Sequence, residues 1–418
     1  MRIAVIDHIG NPGGGSRVIR SLLPAFKRVN PEIEITYFGN PSAIVREKTK
    51  EEFLPLGIHV EELSSLRLLL NRILSSDYGN RAIEAVKAFG LLRLANKIER
   101  FSESQIGSIS GEIEKRVRDF DLAFYPWPFY ISFPNLNCPS VGIFHDFNYK
   151  YYFSGSFVIS KMLRDKLEQD IPVWLGKCVP VVSSKFMDCE LKKFYPKSLE
   201  SHVIHLPPLG GAELIPDECA LDLVRGLGIN NPYLLCPTHM CSHKNVGPLI
   251  AAMALLKKRG YKISLILTGS GTESVRGSAS DIGVELNEFS DEIKGLGYVS
   301  NLHMDSLIQC ASVVVNPSLY EAGNGPGVDA WLRGTPVAMS NIPSFVEHFS
   351  VLGVRGQIFD ARNPQDIAEK ISVILDNPRQ ARLDAEISRA ALDSMSWDSV
   401  AAAYLQLFYR TVGEHKSI

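Results

Sequence analysis

The chain has 418 residues, of which 45% are hydrophobic and 22% are charged, a balance typical of globular rather than disordered proteins. That length exceeds one ordinary hydrophobic core, so two domains of similar size are expected. A formal net charge of −2 provides no basic field for a nucleic-acid partner. No apolar stretch reaches the roughly 18 residues of a transmembrane helix, and the opening MRIAVIDHIG is typical of a first β-strand rather than a signal peptide.

Short β-rich runs alternate with helix-like runs in the first half of the chain. Residues 3–6 are predicted as a strand, NPGGGSR as a loop, and residues 16–29 as an amphipathic helix. Further strands are predicted at 33–38, 122–125, 140–144, 180–183 and 203–206. This alternation predicts a parallel sheet with helices on both faces.

The same rhythm restarts after LPPLGGAELIPDE, the proline- and glycine-rich passage at 206–218. Predicted strands lie at 233–236, 264–268, 312–316 and 336–339, and predicted helices at 246–258, 304–310, 325–333 and 364–375. We therefore expect a first domain over 1–210 and a second over 211–396. The final helix, predicted from 397 to 410 within the tail 397–418, is expected to pack back on the first domain.

A leucine-rich helical stretch at 64–100 carries seven Lys or Arg and three Asp or Glu, a local balance of +4. One interpretation is a membrane-facing surface that holds the protein peripherally at the inner face of a membrane. The other is a set of core-packed helices with solvated arginines.

Neither a disulfide framework nor a metal site is expected. The seven cysteines are odd in number and scattered, and none forms a CxxC pair, which favours a reducing compartment, the cytoplasm. Asp119 and Asp121 superficially resemble a metal-binding DxD pair, but they precede a predicted strand instead of following it, so we interpret them as surface residues. No cofactor or metal is therefore expected.

The segment SLYEAGNGPGVDAWLRGTPV, residues 318–337, follows an apolar strand and enters a helix. Its glycines, among them Gly323 and Gly325, permit close backbone approach, and a helix N-terminus presents unpaired N–H groups to an anion such as a diphosphate. Asp329 on that helix is placed to bind ribose hydroxyls, and Glu321 before it to face a sugar. A tight turn with two solvated carboxylates is the alternative.

This segment resembles the signature of the family-4, or group-1, retaining glycosyltransferases, in which two glutamates eight positions apart flank a glycine-rich loop. The resemblance implies the GT-B fold: α/β, with two Rossmann-like, doubly wound domains facing across a cleft. It also implies that Glu321 contacts donor-sugar hydroxyls and Asp329 the ribose. Two departures are the aspartate at 329 and the loop AGNGPG, with Gly323 at a commonly aromatic position and Asn324 displacing a glycine.

A second motif, CPTHMCSHKNVGPLI at 236–250, joins the first strand of the second half to a helix. Lys244 would supply a cation beside the diphosphate and stabilise the departing nucleotide without a metal. The family places an Arg and a Lys five residues apart here, and His239 stands at the earlier position. His239 is a proton donor, a hydrogen-bond donor to phosphate, or only a strand-end filler.

Two motifs in the first half are expected at the same cleft, and the resemblance implies that the first, a glycine loop, faces the donor and the acceptor. Gly13, Gly14 and Gly15 follow the first strand, where a backbone can close over an anion, although three glycines can also serve only to make a turn. The segment does not match the dinucleotide-binding motif GxGxxG, because Val18 occupies the position of its third glycine. His145, followed by Asp146, ends a strand, and the resemblance places such a His-Asp pair near the reacting sugar. The alternatives are a structural histidine at a strand end and an aspartate that only orients it.

GYVSNLHMDSL at 297–307 resembles the family's turn around the nucleotide base, with the backbone of Tyr298 and Val299 at the base edge. An ordinary strand-to-helix turn is the alternative. The predicted catalytic residues are thus His145, Lys244 and Glu321. The predicted donor-binding residues are Gly14, Gly15, His239, Lys244, Tyr298, Val299, Glu321, Gly323, Asn324, Gly325 and Asp329.

The function that the resemblance implies is transfer of a hexose from a nucleotide-diphosphate sugar, UDP-hexose such as UDP-glucose, with retention of configuration and without a metal. The acceptor would be a saccharide or a lipid-linked saccharide, in polysaccharide or glycoconjugate biosynthesis. Alternatives are a GT-B sugar-nucleotide epimerase and a non-catalytic nucleotide-sugar-binding subunit.

Overall fold

The computed structural model describes residues 1–9, 14–46, 48–63, 108–151, 161–208, 214–230, 232–275 and 292–417. Gly13 and the leucine-rich stretch 64–100 lie outside the described residues. The chain divides into two compact units. The first comprises Met1–His145, Ile159–Leu206 and Trp397–Ile418, and the second Asp146–Val158 and Pro207–Ser396.

The first unit is built on a parallel sheet with helices around it. Its strands are β1 (Arg2–Asp7), β2 (Glu34–Gly39), β3 (Ile58–Glu62), β4 (Leu122–Tyr125), β5 (Ser140–Ile143), β6 (Cys178–Val182) and β7 (His202–Val203). Its helices are α1 (Gly14–Val29), α2 (Pro41–Arg46), α3 (Thr49–Phe53), α4 (Ser108–Arg116), α5 (Lys161–Lys177) and α6 (Lys185–Phe194). The last helix in chain order, α14 (Trp397–Lys416), also belongs to this unit.

The strands of this sheet follow the order β3-β2-β1-β4-β5-β6-β7, and all the pairs are parallel. β4 and β5 are buried along their whole length, as expected of strands covered on both faces. The chain order reverses between β1 and β4, which makes their carboxyl ends a topological switch point.

The second unit repeats this architecture. Its strands are β8 (Tyr233–Pro237), β9 (Ser264–Thr268), β10 (Ile293–Gly295), β11 (Val313–Asn316), β12 (Val337–Ser340) and β13 (Gln357–Phe359). Its helices are α7 (Asp217–Gly226), α8 (Val246–Lys258), α9 (Asn301–Cys310), α10 (Gly325–Leu332), α11 (Pro343–Leu352), α12 (Pro364–Asp376) and α13 (Pro378–Asp393), and α14 (Trp397–Lys416) then returns to the first unit.

The second sheet has the order β10-β9-β8-β11-β12-β13, again parallel throughout. Apolar residues of its two faces form separate buried clusters beneath the flanking helices, one around Leu249 and Ile371 and the other around Trp331 and Phe345. Its switch point lies between β8 and β11. Two Rossmann-like, doubly wound sheets confirm the predicted α/β fold class.

Three short edge or near-edge strands, β3, β10 and β13, were not predicted. They have three to five residues each, too few to show a period. The helix predicted from 16 begins two residues earlier, so Gly14 and Gly15 form its first turn instead of a loop. Glycine is tolerated there because the first N–H groups of a helix have no intrahelical partner. No helix within the described ranges has the length and apolar character needed to cross a membrane.

Candidate functional site

The two main sequence motifs of the second unit meet at its switch point. β8 ends at Pro237 and leads into the loop with Lys244, whereas β11 ends at Asn316 and leads into the loop with Glu321. Because β8 and β11 are parallel neighbours, both loops leave the same edge of the sheet. Ligands of open α/β sheets bind at this position.

Lys244 and Glu321 form an ion pair there, with 2.5 Å between Lys244 Nζ and Glu321 Oε1. Only 16% and 18% of the two side chains are exposed, so the pair is largely shielded from solvent. Ser318, which is fully buried, donates a 2.7 Å hydrogen bond from its hydroxyl to Glu321 Oε1. The carboxylate is therefore held from two sides, which fixes its orientation.

Backbone and amide hydrogen bonds tie the two loops together. The Leu319 N–H donates to the His243 carbonyl at 2.7 Å. Asn245 adopts a left-handed conformation with φ of 53°, and its side-chain amide donates to the carbonyls of Pro317 and Ala361 at 3.0 and 2.7 Å. Asparagine tolerates this backbone region better than most residues. These bonds preorganise the Lys244–Glu321 pair.

The loop after β9 packs directly on the loop after β8. The Met240 N–H donates to the Ser270 carbonyl at 3.0 Å, and a Cβ added at Gly269 (φ 115°) would lie 1.8 Å from the Thr238 carbonyl oxygen. Only glycine fits this approach. This loop was not predicted as part of the site, although a TGSG sequence directly after an apolar strand indicates a loop at the same edge of the sheet.

The predicted base-binding turn follows β10 at the same edge of the sheet. The Gly269 N–H donates to the Gly297 carbonyl at 2.7 Å, which joins this turn to the preceding loop. Tyr298 comes next and is 86% exposed, whereas Val299 packs partly against the apolar cluster around Trp331. An exposed aromatic ring thus stands beside a backbone that is fixed in place.

Helix α10 begins immediately after the Glu321 loop. The Asn324 side chain caps it by accepting a 3.2 Å hydrogen bond from the Gly327 N–H, and a Cβ at Gly327 would lie 2.3 Å from Asn324 Nδ2. Asn324 is buried, so its side chain serves the helix. Gly323 and Gly325 are exposed beside this helix start, and Asp329 is half-buried in its middle.

His239 lies close enough to Lys244 and Glu321 to feel both charges. Burial lowers the pKa of His239, Lys244 lowers it further, and Glu321 opposes them. Burial and Lys244 also lower the pKa of His243 to about 4, so its imidazole is neutral near pH 7. Cys241 Sγ is 3.2 Å from His243 Nδ1. The side chains of His239, Cys241 and His243 thus cluster, which the sequence interpretation missed because H-x-C-x-H is not a common ligand spacing.

The remaining predicted residues lie in the first unit. His145 follows β5, stacks on Trp127 with ring centroids 4.9 Å apart, and has its Nε2 2.8 Å from the Pro126 carbonyl. That distance assigns the ring proton to Nε2 and leaves Nδ1 as an acceptor. Burial lowers the pKa of His145 to about 4, so the ring is neutral. Gly14 and Gly15 open α1 after β1.

Two aspartates have local structural roles. Asp146, grouped with the second unit, accepts a 3.1 Å hydrogen bond from the Asn148 N–H, and burial raises its pKa. Asp121 accepts a 2.8 Å hydrogen bond from the Arg2 N–H at the start of β4, as expected of a residue that shapes the amino edge of the sheet.

Comparisons with known proteins point to sugar transfer. Residues 231–377 match the family model described as Glycosyl transferases group 1. The MMP alpha-(1->4)-mannosyltransferase of Mycolicibacterium hassiacum is 28% identical over 174 residues, 40% of each chain. The uncharacterized glycosyltransferase MJ1607 of Methanocaldococcus jannaschii is 25% identical over 187 residues, 44% of this chain and 47% of that protein. This chain thus aligns with less than half the length of these relatives.

Solved structures resemble the whole chain. Anabaena Alr3699/HepE in complex with UDP-glucose superposes with a TM-score of 0.66 at 14% identity, covering 99% of this chain and 100% of that one. Sucrose-phosphate synthase (tll1590) of Thermosynechococcus elongatus has a TM-score of 0.66 at 16% identity, covering 99% of both. The chain therefore has the α/β GT-B fold, and its second unit carries a segment of the Glycosyl transferases group 1 type.

Proposed function

We propose that this protein is a retaining glycosyltransferase that moves a hexose from UDP-hexose, such as UDP-glucose, to a saccharide or lipid-linked saccharide acceptor. The observation that carries the proposal is the Lys244–Glu321 pair at the switch point of the second sheet, next to the start of α10. A cation, a carboxylate and a helix N-terminus at one strand-end edge match the parts of a sugar diphosphate. The family match over 231–377 covers all three.

The diphosphate is proposed to bind between Lys244 and the first turn of α10. An ammonium group has three donors, so Lys244 can keep its bond to Glu321 and still donate to a phosphate oxygen. As the sugar leaves, the diphosphate gains negative charge, and a unit charge about 4 Å away contributes on the order of 4 kcal/mol at an effective dielectric of 20. Lys244 and the α10 N–H groups would supply this stabilisation without a metal.

Glu321 is proposed to bind hydroxyls of the donor sugar, with Ser318 holding its carboxylate in position. Asp329 on α10 is proposed to bind the ribose, and the backbone of Tyr298 and Val299 the edge of the base. His239 is proposed to donate to phosphate. Uridine is the proposed base because a solved neighbour of the same fold, HepE, was captured with UDP-glucose, and the mannosyltransferase relative supports a hexose.

The first unit is proposed to act on the reacting sugar and the acceptor. His145 has a neutral imidazole with a fixed tautomer, which suits hydrogen bonding to a sugar hydroxyl better than it suits a charged role. Gly14 and Gly15 would present N–H groups of the α1 start. The leaving diphosphate is proposed to help deprotonate the acceptor.

The deciding experiment is a thermal-shift screen of the purified protein against UDP, GDP, ADP and their sugar conjugates, with and without EDTA. A ligand at a hundred times its Kd adds roughly 2.7 kcal/mol of stability. We expect UDP and UDP-glucose to raise Tm, each by the same amount with EDTA as without it. Lys244→Ala should abolish the shift, and Lys257→Ala, which removes an exposed lysine of α8, should leave it intact.

Acceptor dependence separates the enzyme from its alternatives. Transfer of the sugar that needs an acceptor and is lost in Glu321→Ala supports a transferase. Conversion of the nucleotide sugar without any acceptor would identify an epimerase, and tight binding without turnover a binding subunit. No shift with any nucleotide would remove the proposal.

A further inference from the structure

The loop after β8 brings together three metal-ligating side chains that the proposed mechanism does not require as a set. The ligand atoms of His239, Cys241 and His243 all lie within 4.8 Å of one another. The loop folds tightly at this point: the Cys241 N–H donates to the His239 carbonyl at 2.9 Å, and Cys241 caps a single 3-10 turn over Ser242–Lys244. His243 is buried, and the other two are half-buried.

From this geometry we infer that His239, Cys241 and His243 form a binding site for one transition-metal ion of the Zn²⁺ type. Two imidazoles and one thiolate suit Zn²⁺ and its analogue Co²⁺ rather than Mg²⁺ or Ca²⁺, which take oxygen ligands. Three protein ligands leave a fourth tetrahedral position for water or an anion.

The distances are close to those that a bound ion needs. Tetrahedral Zn²⁺ with Zn–S of about 2.3 Å and Zn–N of about 2.0 Å holds its sulfur and nitrogen ligands about 3.5 Å apart. Cys241 Sγ and His243 Nδ1 are separated by 3.2 Å, and the His239 and His243 rings by 5.7 Å between centroids. The ligand atoms already lie within 4.8 Å of one another, so movements on the order of 1 Å bring them to the separations of a tetrahedral site.

The thiolate that forms on binding offsets the positive charge of the ion and of Lys244. Lys244 is a positive side chain beside the cluster, and its ion-pair partner Glu321 offsets part of that charge at His239 and Cys241. Binding balances as Cys–SH plus M²⁺ giving Cys–S–M⁺ plus one proton released to solvent, with both imidazoles remaining neutral. The Met240–Ser270 backbone bond holds the middle of this loop, so the site is largely preformed.

The test uses the full chain without a histidine tag, stripped with EDTA, desalted under reducing conditions and titrated with Co²⁺. We expect a thiolate-to-cobalt charge-transfer band and the visible bands of tetrahedral Co²⁺, saturating at one ion per chain. Zn²⁺ should displace the Co²⁺, and Mg²⁺ should not. Cys241→Ser should abolish the charge-transfer band, and His239→Ala should raise the Kd at least about ten-fold.

Cys219→Ser, at an exposed cysteine of α7, is the matched control and should leave the spectrum unchanged. Absence of a charge-transfer band in the unmutated chain, or its persistence in Cys241→Ser, would overturn the inference. The inference does not rest on the proposed function. Co²⁺ binding is read from the spectrum and nucleotide binding from the UDP thermal shift, so either can fail while the other stands.

Discussion

His145 makes the stability of the first unit depend on pH. Its pKa is about 4 in the folded protein and 6.5 in an exposed histidine, because folding buries the ring. As pH falls from about 6.5 to about 4, His145 becomes protonated in the unfolded chain but stays neutral in the folded protein. The free energy of unfolding therefore falls across this window, by at most about 1.4 kcal/mol per pH unit and less for a half-buried ring.

We expect His145→Gln to flatten this dependence, because the amide can still donate to the Pro126 carbonyl but does not titrate. Urea denaturation at pH 7, 6, 5 and 4.5 measures it. Some slope will remain, since the pKa of His243 is also lowered to about 4. His59→Gln, at an exposed position of β3, is the control. Equal slopes in His145→Gln and the unmutated protein would contradict the burial argument.

Individual residues were predictable to different degrees. Lys244 and Glu321 could both be selected because each follows an apolar strand, but their ion pair spans 77 residues and depends on β8 and β11 being neighbours. The sequence around either residue does not indicate that β8 and β11 are neighbours, because β9 and β10 lie between them along the chain. The clustering of Cys241 with two histidines depends likewise on a tightly turned loop backbone, which the hydrogen bond from the Met240 N–H to the Ser270 carbonyl helps to hold.

At the scale of elements, the start of α10 links stability to the proposed anion site. Asn324→Ala removes the cap of α10 and should lower the free energy of unfolding by about 1 kcal/mol. Asn324→Ser restores a capping oxygen and should recover most of that loss. Urea denaturation measures the stability of both variants, and the UDP thermal shift reports the anion site.

We expect the serine variant to recover the UDP shift together with the stability, because Asn324 is buried and would act through the helix start. Recovery of stability without recovery of the UDP shift would instead support Asn324 itself as a donor-binding residue, as predicted from the sequence.

Apolar elements were predicted better than mixed ones, whatever their length: α5 and α13, with 17 and 16 residues, were not predicted. Helix α8 and strands β4 and β9 have the predicted bounds, because each consists mainly of consecutive apolar residues. The strand predicted at 203–206 shrinks to two residues, β7, at the edge of its sheet. An edge strand gains hydrogen bonds on one side only, so its extent is decided by the neighbouring strand and not by its own composition.

At the scale of the whole molecule, the first unit is assembled from both ends of the chain. Helix α14 packs on α1, and Tyr404 and Phe408 are fully buried against Phe26 and Phe124. At the surface of this contact, Arg28 pairs with Asp398 at 2.7 Å. The aromatic cluster is the main stabilising contact of α14, because exposed ion pairs contribute little.

Phe408→Ala tests whether the two units lose stability separately. Removing this ring should cost about 3–5 kcal/mol, and only the unit that contains the cluster should open more readily. Hydrogen exchange read by mass spectrometry should show faster exchange in β1, β4, α1 and α14. Phe345→Ala, at a fully buried ring of the second unit, is the matched control and should speed exchange there instead.

The proposed donor site adds a second readout to this pair of variants. Because Lys244 and Glu321 belong to the second unit, Phe408→Ala should retain UDP protection of the loops after β8 and β11, whereas Phe345→Ala should weaken it. If Phe408→Ala sped exchange equally throughout both units, the molecule would unfold as one cooperative body. The C-terminal helix would then stabilise the donor site as strongly as it stabilises the sheet on which it packs.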